Sequence, residues 1–171
     1  MSYFNRRFIA LFAFLFMVIY KQFSFDSAHF LPNVSDSHKC KQLHGHTYHL
    51  TIYAEGEVLE KEGWVLDFSD LKSVVNPIID RIDHKLLNDI AGLENPTTEI
   101  LAIWLWKQIK PLMHPLKRIE LKETTSSGVI YEGNWAARIN IYFIKTSLGL
   151  IYKISSIFRP LSKHPNNTIY E

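Results

Sequence analysis

The sequence predicts an α+β domain in which a four-stranded antiparallel sheet carries two helices on one face. Two segments rich in aromatic and β-branched residues come first, at 17–30 and 46–57. Two segments with helical spacing of apolar residues follow, and short strand patterns lie near 116–125 and 128–133. The predicted order is therefore β-β-α-α-β-β, which favours antiparallel pairing between strands that follow each other along the chain.

The first two strands are predicted from the alternation of side-chain character. Phe23 and Phe25 alternate with polar neighbours, which is the period of a strand with one buried face. The second strand runs from residue 46 to residue 57, and a Glu-Gly pair at 62–63 marks a turn after it.

Both helices are predicted from apolar periodicity and from residues that start helices. Ser69 or Asp70 can cap the first helix. The segment 95–99, with its proline, threonines and glutamate, is typical of a second helix start, and that helix runs to about Lys110. The apolar positions with helical spacing in the first helix are Leu71, Val74, Val75, Ile78, Ile79 and Ile82.

Length and composition indicate one domain with two extensions. The chain has 171 residues, of which 47% are hydrophobic, so it is long enough to bury a core. Residues 21–137 hold 12 basic and 16 acidic residues, a net charge near −4, and no basic stripe that would indicate a nucleic-acid partner. The single cysteine excludes an intramolecular disulfide and indicates a reducing compartment, so we expect a cytoplasmic protein.

The two ends differ in composition from the domain, which we place at residues 17–134. Residues 8–20 are apolar and follow two arginines, as at the start of a signal peptide, but 13 residues are too few to span a membrane. We therefore expect no membrane partner, and interpret residues 1–16 as an apolar extension upstream of a natural start at Met17. Residues 135–171 form a basic extension of unknown role.

Three histidines are the candidate metal ligands. His44 and His46 flank a glycine, and in a strand residues two apart point to the same face, so both can reach one ion. His29 can supply the third ligand, and three histidines with one open position are typical of a catalytic zinc site. A lone His-x-His pair is more often a surface or hydrogen-bonded feature, but five of the eight histidines lie within residues 29–49. Cys40, the single cysteine, lies close by in the sequence.

Two further groups carry proton-transfer chemistry. Asp83-His84 follows the first helix, and Glu123 ends a predicted strand. Taken singly, each is more often a solvated loop or strand end than part of an active site. Together with an open zinc and a cysteine base they indicate proton transfer at carbons that bear oxygens. The chain shows no glycine-rich nucleotide-binding loop.

Several motifs in order resemble a known family. They are Phe-Ser-Phe-Asp-Ser-Ala-His, Cys-x3-His-Gly-His, Gly-Trp-Val-Leu-Asp-Phe-Ser-Asp-Leu-Lys, Asp-His-x-x-Leu-Asn, Asn-Pro-Thr-Thr-Glu and Lys-Glu-Thr, within residues 17–134. This segment resembles the 6-pyruvoyl-tetrahydropterin synthase family, and especially its bacterial branch, the 6-carboxy-5,6,7,8-tetrahydropterin synthases of the queuosine pathway.

The resemblance implies a tunnelling fold, in which antiparallel sheets of several subunits join into a barrel with active sites at subunit interfaces. It implies that zinc is held by His29, His44 and His46. It implies that Cys40 is the catalytic base, that Asp83 and His84 support proton transfer, and that Glu123 anchors the pterin with Thr97 or Thr98 assisting. We therefore expect a homo-oligomer, tetramer or hexamer, in which the histidines and Cys40 of one chain face Glu123 or the Asp83-His84 pair of another.

The function that the resemblance implies is a zinc-dependent lyase. It would convert 7,8-dihydroneopterin triphosphate into 6-carboxy-5,6,7,8-tetrahydropterin, acetaldehyde and triphosphate in queuosine biosynthesis. Formation of 6-pyruvoyl-tetrahydropterin is the alternative within the family. An alternative of another class is a zinc-holding binding module without turnover, which would need the histidines but not Cys40, His84 or Glu123.

Overall fold

The computed structural model describes residues 16–133, which form one mixed sheet and two helices. In chain order the elements are β1 (Phe16–His29), β2 (His44–Glu57), α1 (Phe68–Ile79), β3 (Lys85–Leu86), α2 (Thr98–Ile109), β4 (Leu116–Lys122) and β5 (Gly128–Tyr131). The predictions made for residues 1–15 and 134–171 lie outside the described residues. No helix in the described part of the chain is long and apolar enough to cross a membrane.

The sheet is built on a long antiparallel pairing between β1 and β2, which runs from Phe16 opposite Glu57 to His29 opposite His44. The order across the sheet is β3-β1-β2-β4-β5. Residues 16–20, part of the apolar segment that resembles the start of a signal peptide, belong to β1 and pair with 53–57 of β2.

The prediction of four antiparallel strands is wrong by one strand, although the α+β class is confirmed. The additional strand β3 pairs in parallel with Ser27 and Ala28 of β1. Its two residues are too few to show a strand period in the sequence. His84, just before it, adopts a left-handed conformation with φ of 55°, which is uncommon for a residue other than glycine.

The core lies between the helices and one face of the sheet. Alternate residues of β1, β2 and β4 point to this face, and the apolar stripes of both helices pack on it. The fully buried large side chains are Tyr48, Leu50, Ile52, Leu71, Ile82, Leu87, Leu93, Leu101, Leu105, Ile109, Ile119 and Leu121. This packing holds β1 and β2 rigidly where they carry the histidines.

Side-chain caps fix both helix starts. Asp67, rather than Ser69 or Asp70 as predicted, caps α1, because its carboxylate accepts the N–H of Ser69 at 2.7 Å. Thr97 caps α2 and accepts the N–H of Ile100. The prediction of the second helix is confirmed to within one residue at its end.

Candidate metal centre and active site

The three predicted histidine ligands form one cluster at the end of the β1–β2 pairing. His29 lies directly opposite His44 in the register, and His46 follows two residues along β2. The ring centroid of His29 lies 4.5 Å from that of His44 and 5.2 Å from that of His46. The ring centroids of His44 and His46 lie 5.0 Å apart. One nitrogen from each ring lies within 4.8 Å of the other two, so a single ion can reach all three.

Two of these rings are oriented by backbone carbonyl groups. The Nδ1 atom of His29 lies 2.9 Å from the carbonyl oxygen of Pro96, and that of His44 lies 2.8 Å from the oxygen of Gln42. A carbonyl oxygen can only accept, so each Nδ1 carries the hydrogen and each Nε2 keeps a free electron pair. Histidines that bind metals are held in this way, with the second ring nitrogen bonded to a carbonyl or carboxylate.

The residues present fit a bound cation. Nε2 of His29 is buried and has no hydrogen-bond partner within residues 16–133. Burial lowers the pKa of His29 below its ordinary value, which favours the neutral ring that a metal needs. Oε1 of Glu123 lies 3.4 Å from this atom and 3.6 Å from Nε2 of His46. Electron pairs of neutral imidazoles facing a carboxylate repel it, and a divalent cation held by the three histidines would offset that repulsion.

Glu123 is held in place by two hydroxyl groups. Oγ1 of Thr98 donates to its Oε2 atom at 3.0 Å, and the hydroxyl of Tyr48 donates to Oε1 at 3.4 Å. Burial and the nearby carboxylate raise the pKa of Tyr48, so its hydroxyl stays protonated as a donor. The carboxylate therefore has a fixed orientation beside the histidines of its own chain.

The histidines open into a cavity of about 610 Å³ that also contains the other predicted groups. Besides the three histidines, its lining includes Cys40, Thr97, Thr98, Glu99 and Glu123. Cys40 lies in a turn fixed at both sides, because its N–H donates to Nδ1 of His38 and its carbonyl accepts the N–H of Leu31. The structure thus brings Cys40, Glu123 and both threonines to the histidine cluster.

Asp83 and His84 lie elsewhere in the chain, beside a second cavity of about 570 Å³ that shares His46 with the first. Nδ1 of His84 lies 2.9 Å from Oδ1 of Asp83. The N–H of Asp26 donates to the same oxygen and holds the pKa of Asp83 below its ordinary value. The pair is an ordered carboxylate–imidazole unit, but the cavity that holds Cys40 does not include it.

The structure adds supporting residues that the sequence did not indicate. Tyr48 and the Pro96 carbonyl support Glu123 and His29. Asp26 binds the Asp83-His84 turn through its backbone and accepts a hydrogen bond from Thr47 through its side chain. Of these, only Tyr48 could have been found from the sequence, because it lies two residues after His46 and so shares one face of β2 with His44 and His46.

The profile described as 6-pyruvoyl tetrahydropterin synthase matches residues 18–134, about two thirds of the chain. The chain belongs to this family.

Members of the family with similar sequences carry more than one function. A 6-carboxy-5,6,7,8-tetrahydropterin synthase from Synechocystis is 38% identical over 67% of this chain and 92% of that protein. A dihydroneopterin monophosphate aldolase from Pyrococcus furiosus is 40% identical over 67% of this chain and 96% of that protein.

Solved structures of the family share the fold. The 6-pyruvoyl tetrahydropterin synthase of Caenorhabditis elegans is 27% identical, covers 71% of this chain and 98% of its own, and superposes with a TM-score of 0.67. The predicted fold of the single chain is confirmed by this match, with five strands in place of four, and the barrel of several subunits stays a prediction.

Proposed function

We propose that the protein is a zinc-dependent lyase that makes 6-carboxy-5,6,7,8-tetrahydropterin for queuosine biosynthesis in the cytoplasm. The reaction takes 7,8-dihydroneopterin triphosphate and water and gives the carboxypterin, acetaldehyde and triphosphate. The observation that carries the proposal is the convergence of three histidines, Cys40 and Glu123 on one cavity. The similarity to a relative with this named activity supports it across nearly the whole of that relative.

The histidine cluster is the proposed zinc site. His29, His44 and His46 would supply three nitrogen ligands, the number typical of a catalytic zinc that keeps a position for substrate. When bound there, zinc supplies Lewis-acid polarisation of oxygens on the substrate side chain.

Proton transfer and substrate binding are assigned to four other residues of the cavity. Cys40 is the proposed base that removes a proton from the side-chain carbon next to the pterin ring. Glu123 is the proposed anchor, whose carboxylate accepts N–H groups of the ring, while Thr98 keeps it oriented. Thr97 lines the same cavity and assists in binding the substrate.

The Asp83-His84 pair is proposed to act on the substrate from a neighbouring subunit. Within one chain it does not line the cavity of Cys40, which is what a site shared between subunits requires. Within residues 16–133, β1 pairs with β3 only at Ser27 and Ala28, and β5 has a partner on one side only. Such open strand edges can be covered by pairing with other chains, which supports a homo-oligomer.

Two other family activities are the competing candidates. The relative from Pyrococcus furiosus favours an aldolase acting on a phosphorylated dihydroneopterin, because its identity is as high as that of the carboxypterin synthase. Formation of 6-pyruvoyl-tetrahydropterin would use the same histidines and cysteine.

Product identification separates the three candidates. Purified zinc-loaded protein is incubated with 7,8-dihydroneopterin triphosphate, and separately with the monophosphate, and the pterins are identified by mass spectrometry. We expect the triphosphate to give 6-carboxy-5,6,7,8-tetrahydropterin and one equivalent of acetaldehyde. A pyruvoyl side chain would establish the second activity, and a hydroxymethyl pterin the third, since aldol cleavage leaves one carbon on the ring. No turnover of either substrate would favour a binding module.

A further inference from the structure

Most of the charged side chains that line the cavity have the same sign of charge as a phosphorylated substrate. Glu99 and Glu123 carry negative charge, and the histidines are occupied by a metal in the proposed function. Phosphate groups are repelled by both carboxylates. Among the described residues, Lys39 is the one lysine or arginine that lines the cavity.

Lys39 is free to meet a ligand, while the neighbouring Lys41 is not. The ammonium group of Lys41 donates to the carbonyl oxygens of Pro32 and Val34 and lies 3.3 Å from Asp36, so it closes the loop between β1 and β2. The side chain of Lys39 is exposed and has no ion-pair partner within residues 16–133. The short helical turn Lys39–Lys41, stabilised by His38, holds its backbone beside Cys40.

Neutral donors also lie in the wall of this cavity. Thr124 and Ser127, in the turn between β4 and β5, line it, and their hydroxyl groups are hydrogen-bonded to each other at 2.5 Å, which leaves one of the two hydroxyl hydrogens for a ligand. Hydroxyl groups donate hydrogen bonds to phosphate oxygens without repelling them. This turn begins directly after Glu123, so phosphate donors and the proposed ring anchor are adjacent in the chain.

We propose that Lys39 recognises the phosphate chain of the substrate and sets the preference of the cavity for triphosphorylated over unphosphorylated pterins. The inference rests on the proposed function and extends it to substrate selection. It bears on the difference between the two relatives described above, since one of them is named for a monophosphate. An ammonium group is a compact charge on a long stem, which suits a flexible phosphate chain.

The test compares Lys39→Ala and Lys39→Arg with the wild-type protein and with Lys61→Ala. Lys61 is an exposed lysine that lines neither cavity. Lys61→Ala therefore makes the same change in net charge as Lys39→Ala, but outside both cavities. Binding of neopterin, neopterin monophosphate and neopterin triphosphate to the zinc-loaded proteins is measured by calorimetry. These oxidised pterins report binding without depending on turnover.

We expect Lys39→Ala to weaken binding of neopterin triphosphate about tenfold, the effect of losing one charge-assisted hydrogen bond. Binding of unphosphorylated neopterin should stay within twofold, and Lys39→Arg should restore most of the loss. Lys61→Ala should behave as wild type. An equal loss on neopterin and its triphosphate, or no loss on either, would overturn the proposal.

The measurement also separates this proposal from the proposed function. If the wild-type protein prefers neopterin triphosphate but does not turn over dihydroneopterin triphosphate, the lyase assignment fails and Lys39 is still tested. If it makes the carboxypterin but binds neopterin and neopterin triphosphate equally, the phosphate proposal fails alone. If it binds none of the three pterins, the phosphate proposal fails, and product identification alone decides the lyase assignment.

Discussion

At the residue scale, His29 shows how one side chain is prepared for the proposed metal. Its Nδ1 atom is used by the carbonyl of Pro96, and its buried Nε2 atom has no hydrogen-bond partner among the described residues. A buried nitrogen without a partner is costly in a protein that holds no ligand. Because β1 and β2 pair His29 with His44, this unpaired nitrogen lies where two further imidazoles could bind the same ion.

The first prediction concerns the ligand set. His46→Ala should abolish stoichiometric zinc binding, because two histidines are a poor zinc site. His49→Ala is the matched control, since His49 lies on the same strand, is exposed and is not part of the cluster. Zinc content after dialysis, measured by inductively coupled plasma mass spectrometry, checks both. Retention of one zinc per chain in His46→Ala would contradict the ligand assignment.

The second prediction separates an enzyme from a binding module. Cys40→Ala should keep zinc and fold but lower kcat by about 10²- to 10⁴-fold, the range for removal of a general base. Cys40 is not part of the three-nitrogen cluster, so the metal site should be unaffected. Zinc content and steady-state turnover are measured on the same sample. Activity within a few fold of wild type would refute the assignment of Cys40 as the base.

At the element scale, Asn88 joins the end of β1 to the segment that enters α2. Its side chain accepts the N–H of Phe30 at 3.0 Å and donates to the carbonyls of Phe30 at 2.9 Å and Glu94 at 3.3 Å. Phe30 follows His29, and Glu94 precedes the Pro96 carbonyl that orients His29. One amide therefore fixes the relative position of two segments that meet at the histidine cluster.

The third prediction follows from this connection. Asn88→Ala should destabilise the metal-free protein by about 1–3 kcal/mol, because the partly buried backbone groups of Phe30 lose their partner. Asn33→Ala is the control, since Asn33 is exposed in the loop between β1 and β2. Denaturant unfolding of the metal-free proteins gives both free energies, without the stabilisation that bound zinc adds. A loss no larger than that of Asn33→Ala would show that the connection is not needed.

At the scale of the whole molecule, local patterns and long-range contacts differ in how far the sequence predicts them. The histidines of β2 and the start of α2 were predictable because their signals lie within a few residues. The contact of His29 with Pro96 spans 67 residues, and that of Asn88 with Phe30 spans 58. Such contacts leave no local pattern, and they were not predicted. Strand β3 was missed because two residues have no period.

The positions of the groups in one chain bear on which of them a shared active site would take from each subunit. One sequence-based alternative placed Glu123 on the neighbouring chain. Glu123 lies 3.4 Å from His29 of its own chain, so a neighbour is not needed to supply it. His84, which is paired with Asp83, lines a different cavity from Cys40. If the enzyme is a homo-oligomer with shared sites, Cys40 and His84 of each working site come from different chains.

The last prediction tests this arrangement with pairs of inactive variants. Cys40→Ala and His84→Ala are mixed in equal amounts, dissociated and reassembled. Random assembly places intact Cys40 opposite intact His84 in about a quarter of the sites, so about that fraction of wild-type activity should return. The control pair, Cys40→Ala with Glu123→Ala, should recover nothing, because both groups line one cavity of one chain. Recovery in the control pair would place Glu123 across the interface. Failure of the first pair, in a reassembled oligomer of native size, would show that each chain builds its site alone.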